Sequence, residues 1–229
     1  KLASEAENVI ADFKSLDQGL LKIDTTRTIA KYYIPKILAL FRERYPNIKV
    51  NLRAGNSQEA VDWILNFTSD IAIVGRVDYS EKLAAIPILE DQLVLITPRN
   101  KKAFGKGRIE FKALDGESII MREEGSAIRK LLLEEFEKEG ITPNIVMELG
   151  NSDAIKELVK QGIGLSILTW TMVKDEVRKG SLKAVRLPHK KLSFDIVFHM
   201  SRESSHLIQA FKDLALEVFP RSIDMEIPE

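Results

Sequence analysis

The tripeptide Gly-Asn-Ser occurs twice, as Gly55-Asn56-Ser57 and as Gly150-Asn151-Ser152, each time between an apolar run and an amphipathic one. Ile48–Leu52 (IKVNL) precedes the first copy, and Ala60, Val61, Ile64 and Leu65 follow it at helical spacing. Ile145–Leu149 precedes the second, and Ala154, Ile155, Leu158 and Val159 follow. Asparagine at such a junction caps a helix with its side-chain oxygen, and Glu59 stands where a capping box needs it. Each copy is also preceded by another strand–helix unit whose helix opens on hydroxyl residues, Thr26 and Thr28 in one case and Ser126 in the other. A chain that repeats this order is most simply two α/β lobes of like construction.

The remaining stretches fit that plan. Leu20–Ile23 is a short apolar strand, followed by a helix with Ile29, Tyr33, Ile37, Leu40 and Phe41 on one stripe and a stop at Tyr45-Pro46. Pro35 inside the pattern predicts a kink or a break into two pieces. Asp70–Val74 is nearly all apolar, the composition of a strand buried on both faces. Ile86–Leu89 and Leu93–Thr97 are expected as two strands around an acidic break at Glu90-Asp91. Ser118–Met121 opens the next strand–helix unit, whose helix ends at Gly140. Leu165–Leu168, Leu182–Leu187 and Leu192–Met200 are further strands, and Trp170–Gly180 and Ser204–Phe219 are helices. Strands alternating with helices predict an α/β fold with mostly parallel sheets. Leu2, Ala6, Val9, Phe13 and Leu16 are spaced like a short coiled-coil seam, so residues 1–18 are either a terminal helix on their own domain or the tail of a longer dimerising linker. The chain begins at Lys1, so an upstream segment is expected to have been removed.

Composition excludes several functions. Lys+Arg and Asp+Glu are 34 each, so there is no basic footprint for nucleic acid or a membrane surface. Cysteine is absent, which removes disulfides, thiolate metal sites and a cysteine nucleophile. No apolar run approaches the roughly 20 residues that span a bilayer. The three histidines show no metal-ligand spacing, and no Gly-x-Ser-x-Gly elbow is present. Gly162-Ile163-Gly164 leads into a strand rather than out of one, so it is no dinucleotide fingerprint, and Arg99–Arg108 lacks phosphate-loop spacing. No catalytic residue, metal ligand or cofactor is assigned.

Polar recognition at strand ends remains. In open α/β sheets, ligands bind beyond the carboxyl ends of the strands. Thr26, Thr28, Asn56, Ser57, Ser126, Asn151 and Ser152 all stand at such ends, where helix N-termini favour a small anionic or zwitterionic metabolite. Arg27 either clamps a carboxylate or points to water.

The order K-I-D-T-T-R-T-I-A-K-Y-Y-I-P, F-R-E-R-Y-P-N-I-K-V, G-N-S, D-I-A-I and a strand ending in Thr97-Pro98 resembles the effector-binding domain of LysR-type transcriptional regulators. Gly125-Ser126 before a helix, the run G-N-S-D-A-I-K-E-L-V-K-Q-G-I-G-L-S-I-L and a closing helix with Phe211 extend the resemblance over residues 1–220. It implies two Rossmann-like lobes of periplasmic-binding-protein type II architecture, joined by two crossover strands, with a small-molecule effector between them. Lobe I would be residues 19–91 and 195–220, lobe II 92–194, with a linker helix over 1–18 and a tail over 221–229. The family's effector contacts fall on Thr26, Thr28, Asn56, Ser57, Gly125 and Ser126. It further implies a cytoplasmic homodimer or homotetramer that reaches DNA only through a winged helix-turn-helix upstream, possible contact with RNA polymerase, and no membrane association. Asp24 stands where the family commonly has glycine, and Arg27 is an unusual neighbour for the hydroxyls; both alter the charge expected at the site. The alternatives are a solute-binding receptor of an ABC transporter, which needs an export signal or lipid anchor upstream, and an enzyme on similar lobes, such as a small transferase.

Overall fold

In the computed structural model, described over residues 18–101, 109–219 and 222–223, the chain divides into two units. One holds the described residues of Lys1–Ile88 and Phe194–Pro220, the other those of Leu89–Ser193 and Arg221–Glu229. All but the last residue of the predicted helix over residues 1–18 and most of the basic stretch Arg99–Arg108 lie outside the described residues.

Unit one is built on β1 (Gly19–Thr26), which pairs in parallel with β2 (Ile48–Gly55) on one side and β3 (Ile71–Gly75) on the other. The first helical stripe is broken as Pro35 demands: α1 (Arg27–Tyr32) ends at Tyr33, and α2 (Ile34–Arg44) restarts with the proline in its first turn. Then α3 (Ser57–Leu65) follows β2, and α7 (His206–Val218) closes the unit. Ile23, Ile37, Ile64, Ile71, Ile73 and Phe211 are all buried, and the Phe41 and Phe211 rings meet edge to face at 5.4 Å, tying α2 to α7.

Unit two carries β5 (Ser118–Arg122) and β6 (Asn144–Leu149) as a parallel pair, and β7 (Ser166–Thr169) antiparallel to the later half of β4 (Leu83–Pro98). Its helices are α4 (Ala127–Glu139), α5 (Ser152–Lys160) and α6 (Trp170–Arg178). Gly164 lets the chain pass beside β5: a Cβ there would stand 2.9 Å from the Ser118 carbonyl oxygen. The short β9 (Ser222–Ile223) adds in parallel to β4 at Glu90 and Asp91.

The chain passes between units inside two long strands, β4 and β8 (Leu182–His199). Each was expected as two separate strands. Glu90-Asp91 does not break β4, because the alternation of a strand disposes of both carboxylates: Glu90 is exposed and pairs with Lys191, and buried Asp91 accepts the Thr171 N–H at 3.2 Å. The irregular point in β8 is His189, at φ 58°. Gln92 braces it by donating to the carbonyls of Leu187 (2.9 Å) and Lys190 (2.8 Å). Mostly parallel pairing holds for β1–β3 and for β5–β6, while β8 runs antiparallel to β3 and β4 antiparallel to β7.

Candidate functional site

The polar ends of unit one are brought together by register. Thr26 at the end of β1 lies opposite Gly55 at the end of β2, so the starts of α1 and α3 open from adjacent strands. Thr26 caps α1, its Oγ1 accepting the Ile29 N–H at 3.3 Å; Thr28 is buried within the first turn and Arg27 is exposed. Asn56 Oδ1 accepts the Glu59 N–H at 2.9 Å, and the Asn56 N–H donates to Glu59 Oε2 at 2.8 Å, the predicted capping box. Ser57 is buried behind it. Gly55 makes this closeness possible, since a Cβ would stand 2.4 Å from Glu59 Oε2 and 2.8 Å from Trp63 Cη2.

Asp24 does not offer its charge to this end of the sheet. It is buried in β1 and opposes Arg53 across β2; the Arg53 Nε and Nη2 each donate to it at 2.9 Å. The guanidinium also stacks on Trp63 with its centre 3.6 Å from the ring centroid. The hydrogen bond to Asp24 raises the Arg53 pKa above its ordinary value, with partial burial opposing it. The two residues form a cross-strand structural pair.

Unit two repeats the construction. Arg122 lies opposite Leu149 at the ends of β5 and β6, and the Glu123 N–H extends the ladder to the Leu149 carbonyl at 3.2 Å. The chain then turns through Glu123–Ser126, closed by the Ser126 N–H on the Glu123 carbonyl at 3.2 Å, with Gly125 at φ 80°. That positive φ is the reason for glycine here. Ser126 precedes α4 but makes no side-chain capping bond, in contrast to Thr26 and Asn56. Asn151 caps α5 by accepting from the Asp153 and Ala154 N–H groups at 2.8 and 3.1 Å. Ser152 Oγ accepts from Arg122 Nη1 at 3.2 Å.

Register thus joins Thr26, Arg27 and Thr28 with Asn56 and Ser57 in one unit, and Gly125 and Ser126 with Asn151 and Ser152 in the other. The sequence reasoning missed Arg122, which is buried among the second set. The available signal was a charged residue closing an apolar strand directly before a Gly-containing turn. Among the described residues no cluster of three or more His, Asp or Glu side chains is placed to hold a metal ion.

The family model for the LysR substrate binding domain matches residues 14–220. This chain belongs to the LysR family. The HTH-type transcriptional activator CmpR of Synechocystis is 31% identical over 211 residues, covering 91% of this chain and 69% of that protein. The uncharacterized HTH-type transcriptional regulator YeiE of Escherichia coli is 31% identical over 203 residues, covering 86% and 68%. The regulatory domain of CcmR from Synechocystis PCC6803, in complex with 2-PG, superposes with a TM-score of 0.80 at 29% identity, covering 88% of this chain and 98% of that one. The effector binding domain of QuiR in complex with shikimate shares the fold, with a TM-score of 0.79 at 20% identity over 87% of this chain and 96% of that one. The architecture is accordingly the type II periplasmic-binding-protein-like one of LysR effector-binding domains. Membership in a family of transcriptional regulators sets aside the transporter-receptor alternative. No helix among the described residues is long and apolar enough to cross a membrane.

Proposed function

We propose that this LysR domain senses a small anionic metabolite through the polar strand ends of its two units, with Thr26, Arg27, Thr28, Asn56 and Ser57 contributing from one and Gly125, Ser126, Asn151 and Ser152 from the other. One observation carries this reading: both units place hydroxyl and amide side chains with helix N-termini at the carboxyl ends of neighbouring parallel strands. Ser126 adds a buried hydroxyl that makes no capping bond to its own helix. The relative bound to 2-PG supports an acidic ligand class.

The signal passes by population shift: an effector that binds one arrangement of the protein better than another favours that arrangement in proportion to the difference in affinity. The domain acts within a cytoplasmic homo-oligomer, a dimer or tetramer, whose DNA contact lies in a separate winged helix-turn-helix. It is not a catalyst and needs no cofactor.

A thermal-shift screen against small metabolite anions tests the reading, with Thr26→Ala and Ser126→Ala run beside the parent. A ligand at ~100 times its Kd adds about 2.7 kcal/mol, or roughly 5–10 °C for a chain of this size. A shift diminished in both variants supports the assignment. A shift untouched by either change places binding elsewhere and refutes it.

A further inference from the structure

Arg122 ends β5 with its side chain only 6% exposed, and its guanidinium is closed off by the very next residue. Nε donates to Glu123 Oε2 at 2.8 Å, Nη2 to Oε1 at 3.1 Å, and Nη1 to Ser152 Oγ at 3.2 Å. Consecutive residues of a strand point to opposite faces, so a bidentate pair between them needs the strand to stop. It stops here because the turn at Gly125 bends the chain immediately after Glu123. Arg129 holds the same corner, donating to the Arg122 carbonyl at 3.0 Å and pairing with Glu148.

The two members of the pair differ in exposure. Glu123 is 20% exposed and begins the turn, whereas the guanidinium is 6% exposed and also held by Ser152. A buried guanidinium needs an oxyanion beside it, but that oxyanion need not belong to the protein. A ligand carboxylate or phosphate can take over both N–H groups in place of the Glu123 carboxylate, keeping the guanidinium charge compensated.

We propose that Arg122 is the specificity-determining residue for the acidic group of the ligand, and that Glu123 is an internal placeholder occupying it until the ligand binds. This rests on the effector reading above and deepens it, giving the ligand class as an oxyanion able to accept a two-pronged guanidinium bond. The placeholder weakens apparent binding by the fraction of time it leaves Arg122 open. Removing its charge therefore tightens binding, where removing an ordinary structural partner would loosen it.

The decisive variant is Glu123→Gln, titrated by calorimetry with inorganic phosphate and with malonate at fixed ionic strength. Glutamine keeps length and shape but gives up the charge. If Glu123 holds Arg122 for roughly 90–99% of the time, the variant binds at least one probe about 10–100-fold more tightly than the parent. A gain for phosphate identifies a phosphoryl group, and a gain for malonate a carboxylate. Glu123→Asp retains the counter-charge but is one methylene shorter; it gives a smaller gain of the same sign and keeps the test usable if Glu123→Gln unfolds. In an Arg122→Lys background the gain disappears, since an ammonium lacks the planar fork. Equal or weaker binding by both Glu123 variants overturns the proposal, as does a gain that survives Arg122→Lys. Either result leaves the effector reading to stand or fall on the metabolite screen with Thr26→Ala and Ser126→Ala.

Discussion

Replacing Arg76 with alanine removes the counter-charge of a carboxylate that has almost no access to water. Asp195, in the unit-one end of β8, has a side chain 1% exposed; it accepts from Arg76 Nε and Nη2 at 2.8 Å each and from the Tyr79 hydroxyl at 2.9 Å. Arg76 itself is 52% exposed. The pair is therefore asymmetric. If Asp195 becomes asparagine, the arginine loses charge-assisted bonds but turns to solvent, a cost of about 1.5–2 kcal/mol. If Arg76 becomes alanine, the carboxylate stays enclosed with much less to balance it. Truncating one partner of a buried pair costs about 3–5 kcal/mol, and solvent around the half-exposed guanidinium argues for the lower part of that range. Thermal unfolding followed by circular dichroism should show Arg76→Ala lowering Tm by roughly 6–14 °C, at about 2–4 °C per kcal/mol. Asp195→Asn should lower it by about half as much. The double variant should lie above the sum of the singles by at least about 1 kcal/mol, because no orphaned charge remains. If Asp195→Asn proves as damaging as Arg76→Ala, or the double variant is strictly additive, the reasoning from burial is refuted.

Two further outcomes concern the helix caps and His199. Asn56→Ala and Asn151→Ala should each cost about 1 kcal/mol in chemical denaturation; equal stability of parent and variants would show that solvent satisfies these helix ends as well as the caps do. His199 has its pKa lowered, first by burial and then by Lys82 and Arg202 nearby, with its Nδ1 accepting the Ser201 N–H and its ring 4.3 Å from that of Phe67. The unfolded chain then binds the proton more readily, so stability falls as pH drops through about 6.5 toward the lowered value. Tm recorded from about pH 7.5 to about pH 5 should fall less steeply in His199→Gln; identical slopes in the two proteins would remove His199 from the account.

Local chemistry carried most of the architecture into the sequence. Apolar runs, helical stripes and the asparagine caps each depend on residues within one or two turns, so β1, α3, α5 and both Gly-Asn-Ser junctions stood where their patterns placed them, and Pro35 marked the split between α1 and α2. The same signals placed breaks at Glu90-Asp91 and between Leu187 and Leu192 that the strands do not have, and the cause is physical. A charge or a proline in a strand breaks it or not according to what lies across from it. For β4 that partner is the start of α6, where the Thr171 N–H donates to Asp91; for β8 it is the side-chain amide of Gln92, which donates to the Leu187 and Lys190 carbonyls.

The family itself was legible because the order of strand ends, hydroxyls and caps is a property of the chain. What tertiary structure alone decided is where the charges go. Asp24 and Arg53 stand 29 residues apart, and Asp195 and Arg76 stand 119 apart, so no periodicity connects them, and a carboxylate that reads as free to meet a ligand proves to be enclosed with an arginine from another strand. Arg122 and Glu123 are adjacent and still escaped notice, because strand alternation points neighbours apart. Only the bend after Glu123 folds one side chain back onto the other, and a bend is a property of three-dimensional closure rather than of two residues in a row.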